Sequence, residues 1–425
     1  MACIPPQFEP FEIPASKEGV TSCLLRPLDL DIEFENAPTW PPAFEDGRQV
    51  QSAHPFHGGE TEAKRRLEHL LSTGAMTTYS KTRNGLLGSD FSTKLSAYLA
   101  IGCLSARVIN DDMVLFEDGE VKYDGPVGTR EEKLAKLERW KSAPGFGEGE
   151  NNGTAAVRSE LLWRDYFRLV LRKYGAKLFA IEGIRGEKTK EWQFLEKLEG
   201  DEVSAKVKRF CTGRTGIGLI DAAQRELFLT GYTSNRARQN VASFLTKHLH
   251  VDWRIGAEWF EAMLVDFDAA SNWGNWQYVA GVGNDPREGR LFNPVKQALD
   301  YDSHGEYIKA WVPELRGIDL GPQMAGGKYD GEKLMTLFQA WKLSEDDKKL
   351  LELKGVDWVE KPLIQIEFSV SRKPRSAGQN KGRGRGGRHG RGGQLKSGAS
   401  SIESSSTGSQ GSNWRGARWR GRGRQ

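Results

Sequence analysis

The chain has 425 residues, of which 38 % are apolar, 10 % aromatic and 28 % charged; that is ample for one large or two ordinary cores and too aromatic for a wholly disordered polymer. No run reaches the roughly 18 consecutive apolar residues of a bilayer-spanning helix, and Met1 to Pro10 lacks the basic start and apolar stretch of a secretory signal, so a soluble, intracellular protein is expected, its compartment open. The net charge of +4 conceals a division: residues 372–425 hold 14 Lys or Arg against one acid, Glu403, a balance of +13 that leaves −9 on the remainder.

Residues 1–57 are Pro-rich and aperiodic, with PTWPP at 38–42 and HPFHGGE at 54–60, and read as a linker or wrapping segment. A helical pattern opens at ETEAKRRLEHLL, where Thr61 is placed to cap and Ala63, Leu67, Leu70 and Leu71 make one apolar stripe. Further helices are expected over 94–101, 128–140, 157–174, 219–230, 235–248 and 256–264, each closed by Gly or polar punctuation. The acidic, Gly-rich 145–153 and the polar 197–208 read as surface loops. Strand signals are scarce; only 362–370 alternates as a short strand or an extended packing strip would. The fold class expected is all-α, with a linker at 1–57, a helical domain at 58–345, an extension at 346–371 and a tail at 372–425.

The tail carries Arg-Gly repeats at 381–393 and 414–425 around a Ser-rich spacer. Such a segment buries too little apolar surface to offset its ordering entropy, so disorder is expected. Guanidinium groups pair with phosphate and stack on bases, and Trp414 and Trp419 add stacking faces, which points to single-stranded RNA or DNA. A plain solubility tail is the alternative.

Several chemistries lack their signatures. GGK at 326–328 is followed by Tyr329, without the rest of a phosphate-binding loop, and GRTGIG at 213–218 has the wrong glycine order for a dinucleotide fingerprint. Neither His248 with His250 nor His54 with His57 has a third metal ligand at a supporting spacing, so no metal is expected. Cys3, Cys23, Cys103 and Cys211 are too scattered for a disulfide framework or a zinc site, and no G-x-S-x-G elbow is present. Instead, Arg209 to Trp311 gathers Trp253, Trp259, Trp273, Trp276 and Trp311 with amides, arginines and the acids Asp266 and Asp268. Carboxylates in so apolar a setting need compensation, from an arginine such as Arg238 or from a polar ligand, and both remain open on the residues alone.

The motifs TSNRARQNVASFL at 233–245, DWRIGAEWFE at 252–261 and DFDAASNWGNWQYVAGVGNDP at 266–286 resemble the flavin-binding helical domain of the photolyase/cryptochrome family, in its cryptochrome DASH subtype. TYSKTRNGLLGSDFSTKLSAYLAIGCLSAR at 78–107 and ELLWRDYFR at 160–168 match the same family in order, and an Arg-Gly tail is similar to that of fungal DASH proteins. The resemblance covers roughly residues 55–315. It implies that Tyr79 and the run Ser92, Thr93, Lys94, Leu95 and Ser96 hold the FAD pyrophosphate, the run entering a helix N-terminus. Asp266 and Asp268 would border the folded flavin with Arg238 as their ion-pair partner, and Asn272 would face flavin N5, where an amide can accept or donate.

By the same resemblance Trp276 and Trp253 are the proximal and middle members of an electron-transfer chain, with Trp192 the candidate for the outer one; core packing is the plainer role for each. Glu160, Trp163, Asn235, Arg236 and Tyr278 would line the cavity that receives a flipped pyrimidine dimer, and Arg83 would meet a DNA phosphate. Tyr278 stands where other repair enzymes of the family have Trp, which weakens stacking and implies a preference for single-stranded substrate. The family's N-terminal α/β domain, which holds an antenna pigment such as the folate methenyltetrahydrofolate, has no counterpart before Thr61, so antenna binding is expected to be lost. The function implied is blue-light-driven electron transfer from reduced FAD to cyclobutane pyrimidine dimers. The alternatives are a photoreceptor or nucleic-acid-binding regulator without repair, and a fragment unable to hold flavin.

Overall fold

A computed structural model describes residues 37–122, 128–188, 190–195, 202–285, 291–324, 327 and 329–368. The Arg-Gly repeats and most of the N-terminal linker lie outside the described residues. Among those described there is no strand, and no helix is long and apolar enough to cross a membrane.

The first group of helices is α1 (Glu60–Ser72), α2 (Ala75–Thr82), α3 (Ser96–Ala100), α4 (Ala106–Asp118), α5 (Arg130–Trp140) and α6 (Asn152–Tyr174). The α1 stripe buries Ala63, Leu67, Leu70 and Leu71 as its spacing predicts, and Arg66 with them. Its cap is Gly59, at φ 103° and without a side-chain bond, and Thr61 falls inside the first turn. Glu60 and Glu62 there face the positive end of the helix dipole, which a capping hydroxyl would otherwise serve. A Thr129–Glu132 capping box starts α5, and Asn151 caps α6 by accepting from Gly153 and Thr154 N–H. The 145–153 loop therefore ends two residues early, and Gly153 presses on α2: a Cβ there would sit 2.1 Å from the Thr77 carbonyl oxygen. Leu67, Met76, Phe116 and Trp140 belong to the core that these helices enclose.

The second group is α7 (Glu202–Cys211), α8 (Gly218–Thr230), α9 (Asn235–Ser243), α10 (Trp253–Met263), α11 (Ala269–Ala280), α12 (Pro294–Tyr301), α13 (Glu306–Trp311), α14 (Gly331–Phe338), α15 (Glu345–Leu350) and α16 (Asp357–Glu360). A π-helical turn, Phe244–His248, continues α9. These elements surround a larger core containing Phe210, Leu227, Phe244, Trp253, Trp259, Trp311 and Leu337. Within the stretch read as a loop at 197–208, residues from Glu202 onward are helical: Val207, Phe210 and Cys211 are buried along one face of α7 and its polar face misleads. The 362–370 strip is no strand as far as Phe368, because its backbone bonds scatter: Leu363 N–H donates to Thr215 O (2.8 Å) and Ile366 N–H to Gln339 Oε1 (3.3 Å). Leu353, Trp358, Val359 and Ile366 of the C-terminal extension share the larger core.

Residues 37–57 lie along both groups. Trp40 meets Trp311 edge-on at 5.8 Å, Arg316 Nη1 donates to the Pro42 and Ala43 carbonyls at 2.8 and 3.1 Å, and Tyr98 Oη donates to His57 O at 2.8 Å. His54 stacks among Phe56, Tyr98 and Tyr232, a packing role in which burial lowers its pKa.

Candidate functional site

Where the two cores meet, a cavity of about 470 Å³ opens, within the size range of cofactor and ligand pockets. One wall comes from α2, α3 and α6, the other from α9, α10 and α11. Tyr79, Ser92, Thr93, Lys94, Leu95, Ser96, Arg238, Asp266, Asp268 and Asn272 all line it.

The loop before α3 is set from behind by Arg66, which is 4 % exposed. Its guanidinium donates to the carbonyls of Thr93 (2.9 Å), Ser89 (3.0 Å) and Ser92 (3.1 Å) and pairs with Asp90 at 2.6 Å. In a planar trans peptide N–H opposes C=O, so the N–H groups of Asp90, Thr93 and Lys94 point away from Arg66. Lys94, at φ 60°, then reverses the chain into α3, whose first turn has no side-chain cap. The serine and threonine hydroxyls of this run, on the cavity lining, suit an anionic group. Arg66 escapes the motif reading; its one signal is a cation on the apolar stripe of α1.

Asp266 is 3 % exposed in its side chain and accepts from Ser96 Oγ at 2.7 Å and Arg238 Nη2 at 3.0 Å, all through Oδ2. Burial opposes its charge, but the adjacent Arg238 guanidinium and the Ser96 hydroxyl hold it below the usual carboxylate range. Its Oδ1 is buried with no hydrogen bond in this ligand-free structure. An orphaned acceptor on a cavity wall is the mark of a polar ligand that donates. Asp268 departs from the expected pairing: it caps α11 by accepting from Ser271 N–H (2.9 Å) and pairs with Arg168 (3.1 Å), while Arg238 serves Asp266 alone. Asn272 donates through Nδ2 to the Ala257 carbonyl at 2.9 Å, which leaves its amide oxygen for a ligand N–H. Its expected versatility narrows to accepting.

Lys94 is buried, with Nζ 3.3 Å from the Phe91 ring centroid, 4.6 Å from that of Tyr232 and 3.2 Å from Tyr232 Oη. Burial drives its pKa down to about 6, against the pull of Glu226. Glu226, buried behind Tyr232, is pushed up to about 7 by burial although Tyr307 Oη donates to it at 2.6 Å. Lys94 lines the cavity and Glu226 does not, and burial disfavours the charged form of both.

Arg83, Glu160, Trp163, Asn235 and Tyr278 also line the cavity. Arg83 and Glu160 are paired at 2.7 Å, and Trp163, 47 % exposed, stands edge-on to Tyr278 at 6.5 Å and to Tyr166 at 5.4 Å. Burial and the Glu160 carboxylate push the Tyr79 phenol up to about 12. Arg236 is the exception: it is not among the lining residues, because its guanidinium bonds Asn84 Oδ1 (2.6 Å) and Gln239 Oε1 (3.0 Å) and lies 4.5 Å over the Tyr301 ring. Arg164, Gln239 and Phe260, which lie inside the quoted motifs but carry no assigned role there, and Lys247, which lies outside them, also line the cavity.

Trp276 forms part of the cavity wall, edge-on to Phe260 at 5.1 Å, and crosses Gly256, one helical turn after Trp253. A Cβ at Gly256 would fall 2.2 Å from its ring, so the bare glycine is what admits the indole against α10. Trp253 is fully buried and donates to Ile181 O at 3.1 Å. Trp192 runs beside the start of α10, since Gln193 N–H donates to His250 O (2.8 Å) and Asp252 N–H to Gln193 O (3.0 Å); the Lys190 ammonium lies 5.9 Å from its ring.

A family model described as the FAD binding domain of DNA photolyase matches residues 157–352. A protein of Neurospora crassa provisionally named as a mitochondrial cryptochrome DASH is 47 % identical over 389 residues, covering 87 % of this chain and 47 % of that protein. The cryptochrome DASH of Danio rerio is 48 % identical over 272 residues, 64 % of this chain and 45 % of its own length. Among solved structures, a Synechocystis sp. PCC6803 cryptochrome aligns with a TM-score of 0.57 at 38 % identity, over 75 % of this chain and 59 % of its own. A class III photolyase from Agrobacterium tumefaciens aligns at 0.54 with 25 % identity, over 73 % and 53 % respectively. The chain spans about half the length of the curated relatives it matches. With these matches falling on the helices that build the cavity, the chain belongs to the photolyase/cryptochrome family, and its relatives there are cryptochromes DASH.

Proposed function

We propose that the cavity holds FAD and that the protein uses blue light to transfer one electron from the reduced cofactor to a cyclobutane pyrimidine dimer, preferably in single-stranded DNA. The observation that carries this reading is the orphaned Asp266 Oδ1 in one cavity lined also by Asn272, by the run Ser92 to Ser96 and by Trp276. FAD bound there would supply a photoexcitable one-electron donor that recovers its electron once the cyclobutane ring has opened, so no net oxidation remains.

The remaining work belongs to the side chains. Ser92 to Ser96 would take the pyrophosphate on N–H and hydroxyl donors, Asp266 would accept from a ligand N–H or hydroxyl, and Asn272 would accept from a ring N–H. Trp163 and Tyr278 give aromatic walls at the mouth, and Asn235 and Glu160 would read the base edges. Entry of a nucleotide would split the Arg83–Glu160 pair, sending the guanidinium to a phosphate and freeing the carboxylate. Trp276, Trp253 and Trp192 would refill the cofactor with electrons from the surface inward.

The absorption spectrum of the purified protein, before and after incubation with FAD and blue light, tests the reading. A protein that stays colourless with FAD refutes it. The +13 balance of residues 372–425 supports a second reading, a flavin-bearing sensor that binds RNA or single-stranded DNA without repairing it. Photoreduction with dimers left intact in a single-stranded oligonucleotide would select that one.

A further inference from the structure

We infer that Trp273 is a second terminus of the indole relay, branching from Trp253, and that Glu261 takes its proton when it is oxidised. The inference rests on the relay proposed above and adds a residue pair that none of the motifs singled out for this role.

Trp253 and Trp273 meet edge to face, with ring centroids 5.7 Å apart and planes at 81°. Trp273 Nε1 donates to Glu261 Oε2 at 2.8 Å, and Glu261 is exposed on α10. A one-electron-oxidised indole is a far stronger acid than the neutral ring, comparable with a carboxylic acid, so its fate depends on what its N–H touches. Trp253 gives its N–H to the Ile181 carbonyl, which cannot keep a proton, inside the core. Trp273 gives its N–H to a carboxylate that can keep it and pass it to water. The carboxylate beside Trp273 also favours a positive charge on that ring. Phe179, at 5.0 Å, covers Trp273, which is 7 % exposed, so the oxidised ring is sheltered while its proton escapes.

With FAD held in the cavity to accept one electron on illumination, Trp276 would give up that electron and take one from Trp253, and Trp253 would take one from Trp273. The Trp273 radical cation then loses its N–H proton to Glu261 Oε2, leaving a neutral indolyl radical and a protonated carboxylic acid.

Transient absorption after a laser flash on the FAD-loaded protein reads the two radical forms separately. Glu261→Gln keeps an acceptor for the indole N–H but cannot take the proton, so conversion of radical cation to neutral radical should slow by about 10²-fold, the usual worth of a positioned base. Trp273→Phe should remove most of the long-lived neutral radical while Trp192→Phe leaves it. Wild-type radical kinetics in both Glu261→Gln and Trp273→Phe would overturn the branch. Trp276→Phe should abolish every indole radical; persistence there would instead overturn the relay itself. In flavin-free protein, lowering the pH until carboxylates protonate should shift the Trp273 indole N–H resonance in the wild type and not in Glu261→Gln. An equal shift in both would show that the carboxylate is not its partner.

Discussion

Gly256→Ala is expected to move the cavity wall without deleting any side chain that faces it. The added Cβ would lie 2.2 and 2.5 Å from Cη2 and Cζ3 of Trp276 and 2.7 Å from Leu245 Cδ2, whereas ordinary contact begins near 3.4 Å. The indole must therefore retreat by about 1.2 Å, and with Phe260 packed edge-on against it at 5.1 Å, the open direction is the cavity. Overpacking of this kind costs about 1–3 kcal/mol, and the helix propensity of Ala over Gly returns about 1. Urea unfolding of the flavin-free protein should thus shift by no more than about 2 kcal/mol. Binding is more sensitive, because a ligand filling the cavity must push the ring back against the new methyl. The same 1–3 kcal/mol then appears as roughly 5- to 150-fold weaker FAD binding in a fluorescence titration. An affinity within about twofold of wild type would refute the placement of Trp276 as a wall of the ligand site.

Gly153→Ala probes the same kind of contact between the α2 and α6 backbones. Its Cβ would meet the Thr77 carbonyl at 2.1 Å, and because helix backbone cannot step aside, a loss of about 3 kcal/mol in urea unfolding is expected. Arg66→Met strips the Ser89, Ser92 and Thr93 carbonyls of their donor; stability should fall by about 3 kcal/mol and FAD affinity with it, while normal FAD titration would exclude the loop from cofactor binding. Glu226 sets a pH test. Its folded pKa, raised from 4.5 to about 7, means that between those values the folded state holds a proton the unfolded state has lost, so wild-type stability should decline as pH rises through that window. Glu226→Gln should remove that decline, on the order of 3 kcal/mol, in urea midpoints compared at the two ends; parallel profiles would show the carboxyl to be ionised throughout. Deleting residues 372–425 should flatten the salt dependence of single-stranded oligonucleotide binding and leave FAD content unchanged, and an unaltered slope would remove the tail from nucleic-acid contact.

The helical class was readable because the core stripes are strong: Ala63, Leu67, Leu70 and Leu71 recur at helical spacing and are all buried. The cavity lining was readable through motif resemblance, since the matched residues lie in short segments whose side chains converge only in three dimensions. What escaped did so for local reasons. Helix α7 carries Glu202, Lys206, Lys208 and Arg209 among its ten residues, and that polarity outweighed the buried Val207 and Phe210. Arg66 looks like one more surface cation in KRR, although its position three after Ala63 puts it on the buried side. Arg236 and Arg238 are two apart on α9, so they point to different faces, and only Arg238 reaches the cavity. Asp268 could not be assigned to Arg168 from sequence, because the pair is separated by 100 residues and joins α6 to α11.

The cavity runs along the seam between two separately packed cores, and this makes its occupant a keystone as well as a reagent. A molecule touching both walls adds contacts that neither core supplies to the other, so it binds the folded state and not the unfolded one. At a hundredfold excess over its dissociation constant such a ligand contributes about 2.7 kcal/mol. Melting curves should accordingly rise with FAD concentration. In the emptied protein, hydrogen exchange should report weaker protection in the helices that line the cavity than in the protein loaded with FAD.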